Sequence, residues 1–317
     1  MQEVPPAILE AIALAVKTED QPAHQVLKSG VSIHPLSGAG NHNVLGLHLE
    51  GHSYCLKQPK VTNRHEGNPE LVLRREVGGM CMLIDRVPGL CPQPLSWNSV
   101  PAWLLMELLP GSHLGNVALT ESQLVELGAA YKALYQITPT TLGERLWVID
   151  WDIRFHVEWM RDHLPMLVNA GCEDEAAAEA SSLMGDWLDS DDPAWFLETS
   201  DWIVFARGDQ NMANAMWDGE RIRFVDFEYC GWNDLPRDLS LVTDHVQSYA
   251  TPIEGWNIFL EQFDLTPTQH RRLQAGRRRQ ALSWLAKECL KPGSLRGLPE
   301  GNRVEILLDR ARILCKS

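Results

Sequence analysis

Arg207-Gly208-Asp209-Gln210-Asn211-Met212-Ala213-Asn214, followed after a turn by Phe224-Val225-Asp226-Phe227-Glu228, is the stretch on which the reading of this chain rests. Residues 202–206 (WIVFA) and 222–225 (IRFV) have the apolar, β-branched character of short buried strands, and Asp218-Gly219 between them marks a turn. A loop therefore carries the carboxylate of Asp209 and, five positions later, the amide of Asn214. The hairpin that follows delivers a second carboxylate, Asp226. Hard divalent cations such as Mg²⁺ take oxygen ligands, usually one or two from protein and the rest from water and phosphate. Asn214 and Asp226 offer the right donor atoms, and Asp209 is left to orient a hydroxyl and accept its proton. Taken singly, the three residues read as a turn, a cap and a strand end; their order and spacing make the set informative.

Working outward, the stretch resembles the aminoglycoside phosphotransferase and choline kinase family, whose loop motif is H-G-D-x-x-x-x-N and whose metal motif is D-F-E. Here the residues are R-G-D-Q-N-M-A-N and D-F-E, and the continuation from Tyr229 to Leu239 (YCGWNDLPRDL) resembles the family's E-Y-x-G-x-x-D-x-x-x-D-L tail. The resemblance implies an α+β, protein-kinase-like, two-lobed fold: a small amino-terminal antiparallel β-sheet lobe with one helix, then a larger, mainly helical carboxy-terminal lobe. It also implies an ATP- and Mg²⁺-dependent O-phosphotransferase, GTP being an admissible alternative to ATP. Asp209 would be its catalytic base, and Asn214 and Asp226 its metal ligands.

Upstream, Leu36-Ser37-Gly38-Ala39-Gly40-Asn41-His42-Asn43-Val44 resembles the family's phosphate-covering loop, in which Gly38, Gly40, Asn41 and Asn43 would lie against phosphate oxygens. Lys57 resembles the lysine that holds the α and β phosphates, and Glu76 its helical partner. Met106 to Gly111 resembles the linker between lobes, so that the Glu107 carbonyl and the Leu109 amide would meet adenine. The resemblance runs over residues ~30–245. It divides the chain into a nucleotide-binding lobe, 1–110, and a catalytic and acceptor-binding lobe, 111–317, with the linker at about 106–111.

One position departs from the pattern. Arg207 stands where the family has histidine, and its permanent charge would pair with Asp226, Glu228 or a phosphate, or else compete with Mg²⁺. The second outcome would make the chain a weakened nucleotide-binding regulator; transfer of a nucleotidyl group is a third reading. Asp238 is read as structural, bonding the catalytic-loop backbone.

Elsewhere the patterning is coarse but consistent with two lobes. Leu45, Leu47 and Leu49 alternate before a turn at Glu50-Gly51-His52, and Tyr54 to Lys57 completes a hairpin. Helical spacing runs from Leu71 to Val87, strands are expected at Pro94–Trp97 and Trp103–Glu107, and helices dominate beyond Gly111. Thr120-x-x-Gln123 is a capping box opening a helix through Tyr135.

Charge bears on the partner. Residues 1–110 carry a net −2, residues 111–249 a net −17 and residues 250–317 a net +5. A field of that sign repels nucleic acid and anionic membranes. It suits an amine-bearing acceptor such as an amino sugar or a choline-like alcohol, with Asp150, Asp152, Glu158 and Glu228 as candidate contacts. The basic run Arg277-Arg278-Arg279 reads as a solvated helix face or as intramolecular pairing. Seven cysteines without C-x-x-C spacing read as reduced thiols of a cytoplasmic protein. Glu3 and Glu10 stand where a signal peptide would be basic, and no apolar run is long enough to span a membrane.

Overall fold

A computed structural model describes residues 32–36, 42–49, 52–59, 69–142, 149–150, 154–171, 174–198, 202–295, 298 and 301–316. Gly38, Gly40, Asn41 and Asp152 lie outside them, as does the amino-terminal segment Met1–Asp20. The chain clusters into two compact units, Met1–Gly111 with Arg223–Cys230, and Ser112–Ile222 with Gly231–Ser317.

The first unit is built on an antiparallel sheet of order β1-β2-β3-β5-β4. Its strands are β1 (Ser32–Pro35), β2 (His42–Leu49), β3 (His52–Pro59), β4 (Pro94–Ser99) and β5 (Ala102–Glu107), and helix α1 (Pro69–Arg86) lies between β3 and β4 in sequence. The alternating leucines set the β2–β3 register, which pairs Val44 with Lys57 and Leu47 with Tyr54. Because β3 also pairs with β5, Lys57 opposite Leu104, the lysine sits on an inner strand and is almost fully buried. The apolar side chains of α1, Leu73, Met80 and Leu83 among them, are buried as the helical spacing requires. The bonds that join residues 223–230 to this unit include the following. Phe224 N–H donates to the Leu90 carbonyl (2.8 Å), an Arg75 guanidinium N–H donates to the Glu228 carbonyl (3.0 Å), and the Cys230 thiol reaches the Arg75 carbonyl (3.7 Å). A single division near residue 110 does not anticipate that return of the chain.

The second unit opens with β6 (Ser112–His113) and α2 (Glu121–Tyr135), whose capping box forms between Thr120 and Gln123. It continues through α3 (Pro139–Leu142), β7 (Ile149–Asp150), α4 (Arg154–Ala170), α5 (Glu175–Asp189), α6 (Asp192–Leu197), β8 (Ile203–Ala206) and β9 (Ala215–Trp217). Strand β10 (Ile222–Phe224) straddles the boundary between the units. Then come β11 (Gly231–Asp234), α7 (Leu235–Asp244), α8 (Gly255–Leu260), α9 (Pro267–Leu290) and α10 (Arg303–Lys316). β11 lies between β7 and β8, and β6 pairs with β9. The main core of this unit brings together Met160, Trp187, Phe196, Leu282, Leu285 and Leu307 from α4, α5, α6, α9 and α10. Among the described residues no helix is long and apolar enough to cross a membrane.

Candidate functional site

β8 carries three buried residues, Val204, Phe205 and Ala206, and delivers the chain to a loop that turns at Gly208, whose φ of 83° favours glycine. Asp209 follows. Its Oδ1 accepts the Asn211 N–H (3.1 Å), and its Oδ2 accepts Asn214 Nδ2 (3.3 Å). The Asn211 side chain accepts the Ala213 N–H (2.9 Å) and so caps the 3₁₀ turn Met212–Asn214. The five-residue spacing thus brings carboxylate and amide together. Since Asn214 offers its nitrogen to Asp209, its oxygen is the group left for a cation.

The root of this loop is held by a buried polar network. Gln210 Nε2 donates to Asp238 (2.8 and 3.0 Å), while its Oε1 accepts from Tyr131 and from Arg207 Nη2 (3.2 Å). Asp238 also accepts from Tyr135 (2.6 Å) and Asn233 (3.1 Å). Burial raises its pKa above the usual carboxylate value, against the lowering effect of those bonds and of Arg207. Asp238 is therefore structural, as expected, but it grips the side chain of Gln210 where its backbone was anticipated. Arg207, fully buried, commits its Nη2 to Tyr131 (3.1 Å) and Gln210. Both lie in its own unit.

In the first unit a second constellation forms around Lys57. Its ammonium donates to both oxygens of Glu76 (2.9 and 2.7 Å) and to Asp226 Oδ1 (2.5 Å), and Glu228 Oε2 lies 3.9 Å away. Burial alone would lower the lysine's pKa, but Asp226, then Glu76 and Glu228, overcome it and hold the ammonium above its ordinary range. Burial raises the pKa of Glu76, with Lys57 opposing. Asp226 has a left-handed φ of 66°, a conformation aspartate tolerates better than most residues. Two carboxylates, Asp226 and Glu228, join His42 in a cluster whose ligating atoms all lie within 4.8 Å of one another, His42 Nε2 being 2.6 Å from Glu228 Oε2. One ammonium among three carboxylates leaves buried negative charge in excess, which fits a divalent cation.

The remaining expected positions are distributed as follows. Asn43 is half-buried on β2, opposite Gln58. The N–H of Glu107 donates to the Gln93 carbonyl (2.9 Å), and that of Leu108 to the Ser53 carbonyl (3.3 Å). The Leu109 N–H has no acceptor among the described residues. The Glu107 carboxylate accepts the Gln93 N–H and approaches Arg223 (3.5 Å). Of the acceptor candidates, Asp150 lies on β7 and Glu158 is exposed on α4. Glu228 is 2 % exposed and lies beside His42 and Lys57, so the structure places it in the Lys57 cluster.

Beside the catalytic loop, within the second unit, Gly208 and Asn233 form part of a cavity of about 290 Å³. No carboxylate lines it; its charged wall is Arg237, Arg279 and Lys287, with Trp159 and Trp284 among the flanking aromatics. The charge of this wall is opposite in sign to the net −17 of residues 111–249. His42 and Lys287 were not singled out in the sequence, and Arg279 was read only as part of a basic run.

Comparison with known proteins follows the same lines. Residues 34–269 match the family described as "Phosphotransferase enzyme family". Comparison with curated proteins gives no significant match by sequence. Among solved structures, choline kinase from Cryptosporidium parvum Iowa II is similar with a TM-score of 0.61 at 12% identity, over 98% of this chain and 94% of that one. A putative aminoglycoside phosphotransferase from Ralstonia eutropha JMP134 gives 0.60 at 14% identity, over 98% of each chain. Macrolide 2′-phosphotransferase type I gives 0.57 at 15% identity, over 99% of each. The family match covers most of the sequence and these neighbours share its kinase-like architecture: the chain belongs to the phosphotransferase enzyme family and is a small-molecule kinase in protein-kinase-like form.

Proposed function

We propose that this enzyme transfers the γ-phosphoryl group of ATP to a hydroxyl of a small molecule, the amino-terminal unit binding nucleotide and the carboxy-terminal unit the acceptor. The observation that carries the reading is the Lys57 cluster: a buried ammonium gathered by Glu76, Asp226 and Glu228, in a chain whose Asp209 and Asn214 are joined on a capped loop. Neighbours described as GDP and ADP complexes support a nucleotide as the donor.

In this reading Asp209 takes the proton of the acceptor hydroxyl. The acceptor oxygen then forms a bond to the γ phosphorus as the bond from that phosphorus to the bridging oxygen breaks, and the electron pair leaves with ADP. The oxygens of Asn214 and Asp226 would hold Mg²⁺, whose contribution when bound is to neutralise phosphate charge. Lys57 would hold the α and β phosphates, Glu76 fixing the direction of its ammonium. The segment 37–43 would cover the phosphates with the backbone of Gly38 and Gly40 and with Asn41 and Asn43. The free N–H of Leu109, next to the carbonyl side of Glu107, suits adenine.

The test is ATP consumption over a broad panel of hydroxyl acceptors, comparing wild type with Asp209→Asn. Loss of at least about 10²-fold with the best acceptor is expected from removing a general base. Equal consumption by the two proteins removes Asp209 from the mechanism.

A further inference from the structure

We infer that the cavity beside the catalytic loop is an oxyanion-binding acceptor site: it takes a small hydroxyl compound that also bears a carboxylate or phosphate group, and Arg279 and Lys287 hold that group. The inference rests on the role proposed for Asp209, because Gly208, the residue before it, forms part of the cavity wall.

Arg279 carries the argument. Helix α9 buries three arginines, and the other two are each matched by a carboxylate on their own unit: Arg272 by Asp234 (2.8 Å) and Arg277 by Asp244 (2.7 Å). Its half-buried neighbour Arg278 is matched by Asp192 (3.0 Å). Arg279, only 4 % exposed, has neither carboxylate nor hydrogen-bond acceptor among the described residues; its one partner is the ring of Phe196, 5.1 Å from the guanidinium carbon. A guanidinium taken out of water without an anion is unfavourable, and burial draws its pKa down to about 10. This one lines an open cavity.

Lys287, two helical turns further along α9, puts its ammonium 4.5 Å from the centre of the Trp284 ring and 5.5 Å from that of Trp159, again without a carboxylate. Lys287 is an exposed residue overall, but desolvation at its charged end, and then repulsion from Arg279, lower its pKa to about 8. His156, also in the wall, is kept neutral by burial and by the same two cations, its pKa falling to about 3. An amine entering here would meet repulsion from every charged side chain of the lining. An oxyanion would instead gain charge-assisted hydrogen bonds in a desolvated setting, with Ser283 and Gln280 as further polar partners and the indoles to face a flat ligand body. The volume suits a compact acceptor.

The experiment titrates the full-length protein with three probes, inorganic phosphate, glycerate and choline, following tryptophan fluorescence and thermal melting in wild type, Arg279→Met and Lys287→Gln. Saturable binding of phosphate or glycerate, weakened at least about tenfold by Arg279→Met, is expected, with no binding of choline. The tighter of the two oxyanions identifies the group the site prefers. Arg279→Met should melt at the wild-type temperature or above it, since it removes an unmatched buried charge. Three results overturn the inference: choline binding more tightly than both oxyanions, no saturable binding of either oxyanion, or Arg279→Met lowering the melting temperature with oxyanion affinity unchanged. Asp209→Asn separates the two readings, because it should keep oxyanion affinity while losing ATP consumption; turnover retained in that variant counts against the catalytic assignment alone.

Discussion

Asp226 combines a left-handed backbone with a carboxylate 2.5 Å from Lys57, and the two properties can be separated by substitution. Asparagine also tolerates positive φ, so Asp226→Asn should melt near the wild-type temperature while losing Mg²⁺-nucleotide affinity, measured by calorimetric titration. Alanine tolerates neither role, and Asp226→Ala should in addition cost about 1 kcal/mol of stability in urea denaturation. Arg207 invites a different expectation. It is fully buried between Tyr131 and Gln210, in the network that ends on the buried carboxylate of Asp238. A histidine there cannot reproduce both bonds, so Arg207→His should lower stability by about 2–3 kcal/mol, measured by the same urea method. At this scale the sequence was legible where chemistry is tied to spacing: Asp209 and Asn214 are joined by the loop that separates them. It was not legible where identity depends on a distant neighbour, and the partners of Arg207, on α2 and on the loop, are a case of this.

Among the elements, α2 and α9 form an instructive contrast. Both begin with a capping box, Thr120 with Gln123 and Thr266 with Gln269, and both boxes are formed, because capping is decided within four consecutive residues. Thr266→Ala should therefore lower stability by about 1 kcal/mol, seen as a lower urea midpoint at unchanged slope. What α9 buries could not be read the same way. Its buried set includes Arg272, Arg277, Arg279 and Glu288 as well as Leu282 and Leu285, so apolar and charged residues alternate around the helix without a single apolar stripe. Buried arginines are accommodated by acidic residues far off in sequence, Asp234 and Asp244, which a local pattern does not reveal. Of the two readings left open for the basic run, a solvated face or intramolecular pairing, Arg277 and Arg278 follow the second, and Arg279 departs from it.

For the molecule as a whole, proton uptake should set an acid limit on stability. His156 and His245 have pKa values lowered to about 3, first by burial and then by nearby cations, whereas in the unfolded chain both return to about 6.5. Between those values the unfolded state binds more protons than the folded one, so stability falls as pH drops below about 6.5. Melting temperatures should decline from pH 7 to pH 5, and substitution of His245 by a neutral residue of similar size should flatten that decline. The fold class was legible through the resemblance of the Arg207–Asn214 and D-F-E stretches to a known family, with strand alternation and breakers ordered consistently along the chain, and the −17 of the middle segment was read as an acceptor field. That charge turned out to be spent in part on arginines, Asp234, Asp244 and Asp192 being matched to α9, while the cavity beside the loop is basic.

Residues 223–230 lie more than a hundred positions after Gly111, yet they group with the first unit and bring it Asp226 and Glu228. A gene cut after codon 111 would thus encode a polypeptide that keeps Glu76 beside Lys57 but lacks Asp226 and Glu228, and a fragment starting at 112 would carry those two carboxylates away from their lysine. Neither half is a cassette that recombination could exchange intact between genes, and a split or permuted version of this enzyme would have to keep that returning octapeptide with the amino-terminal part.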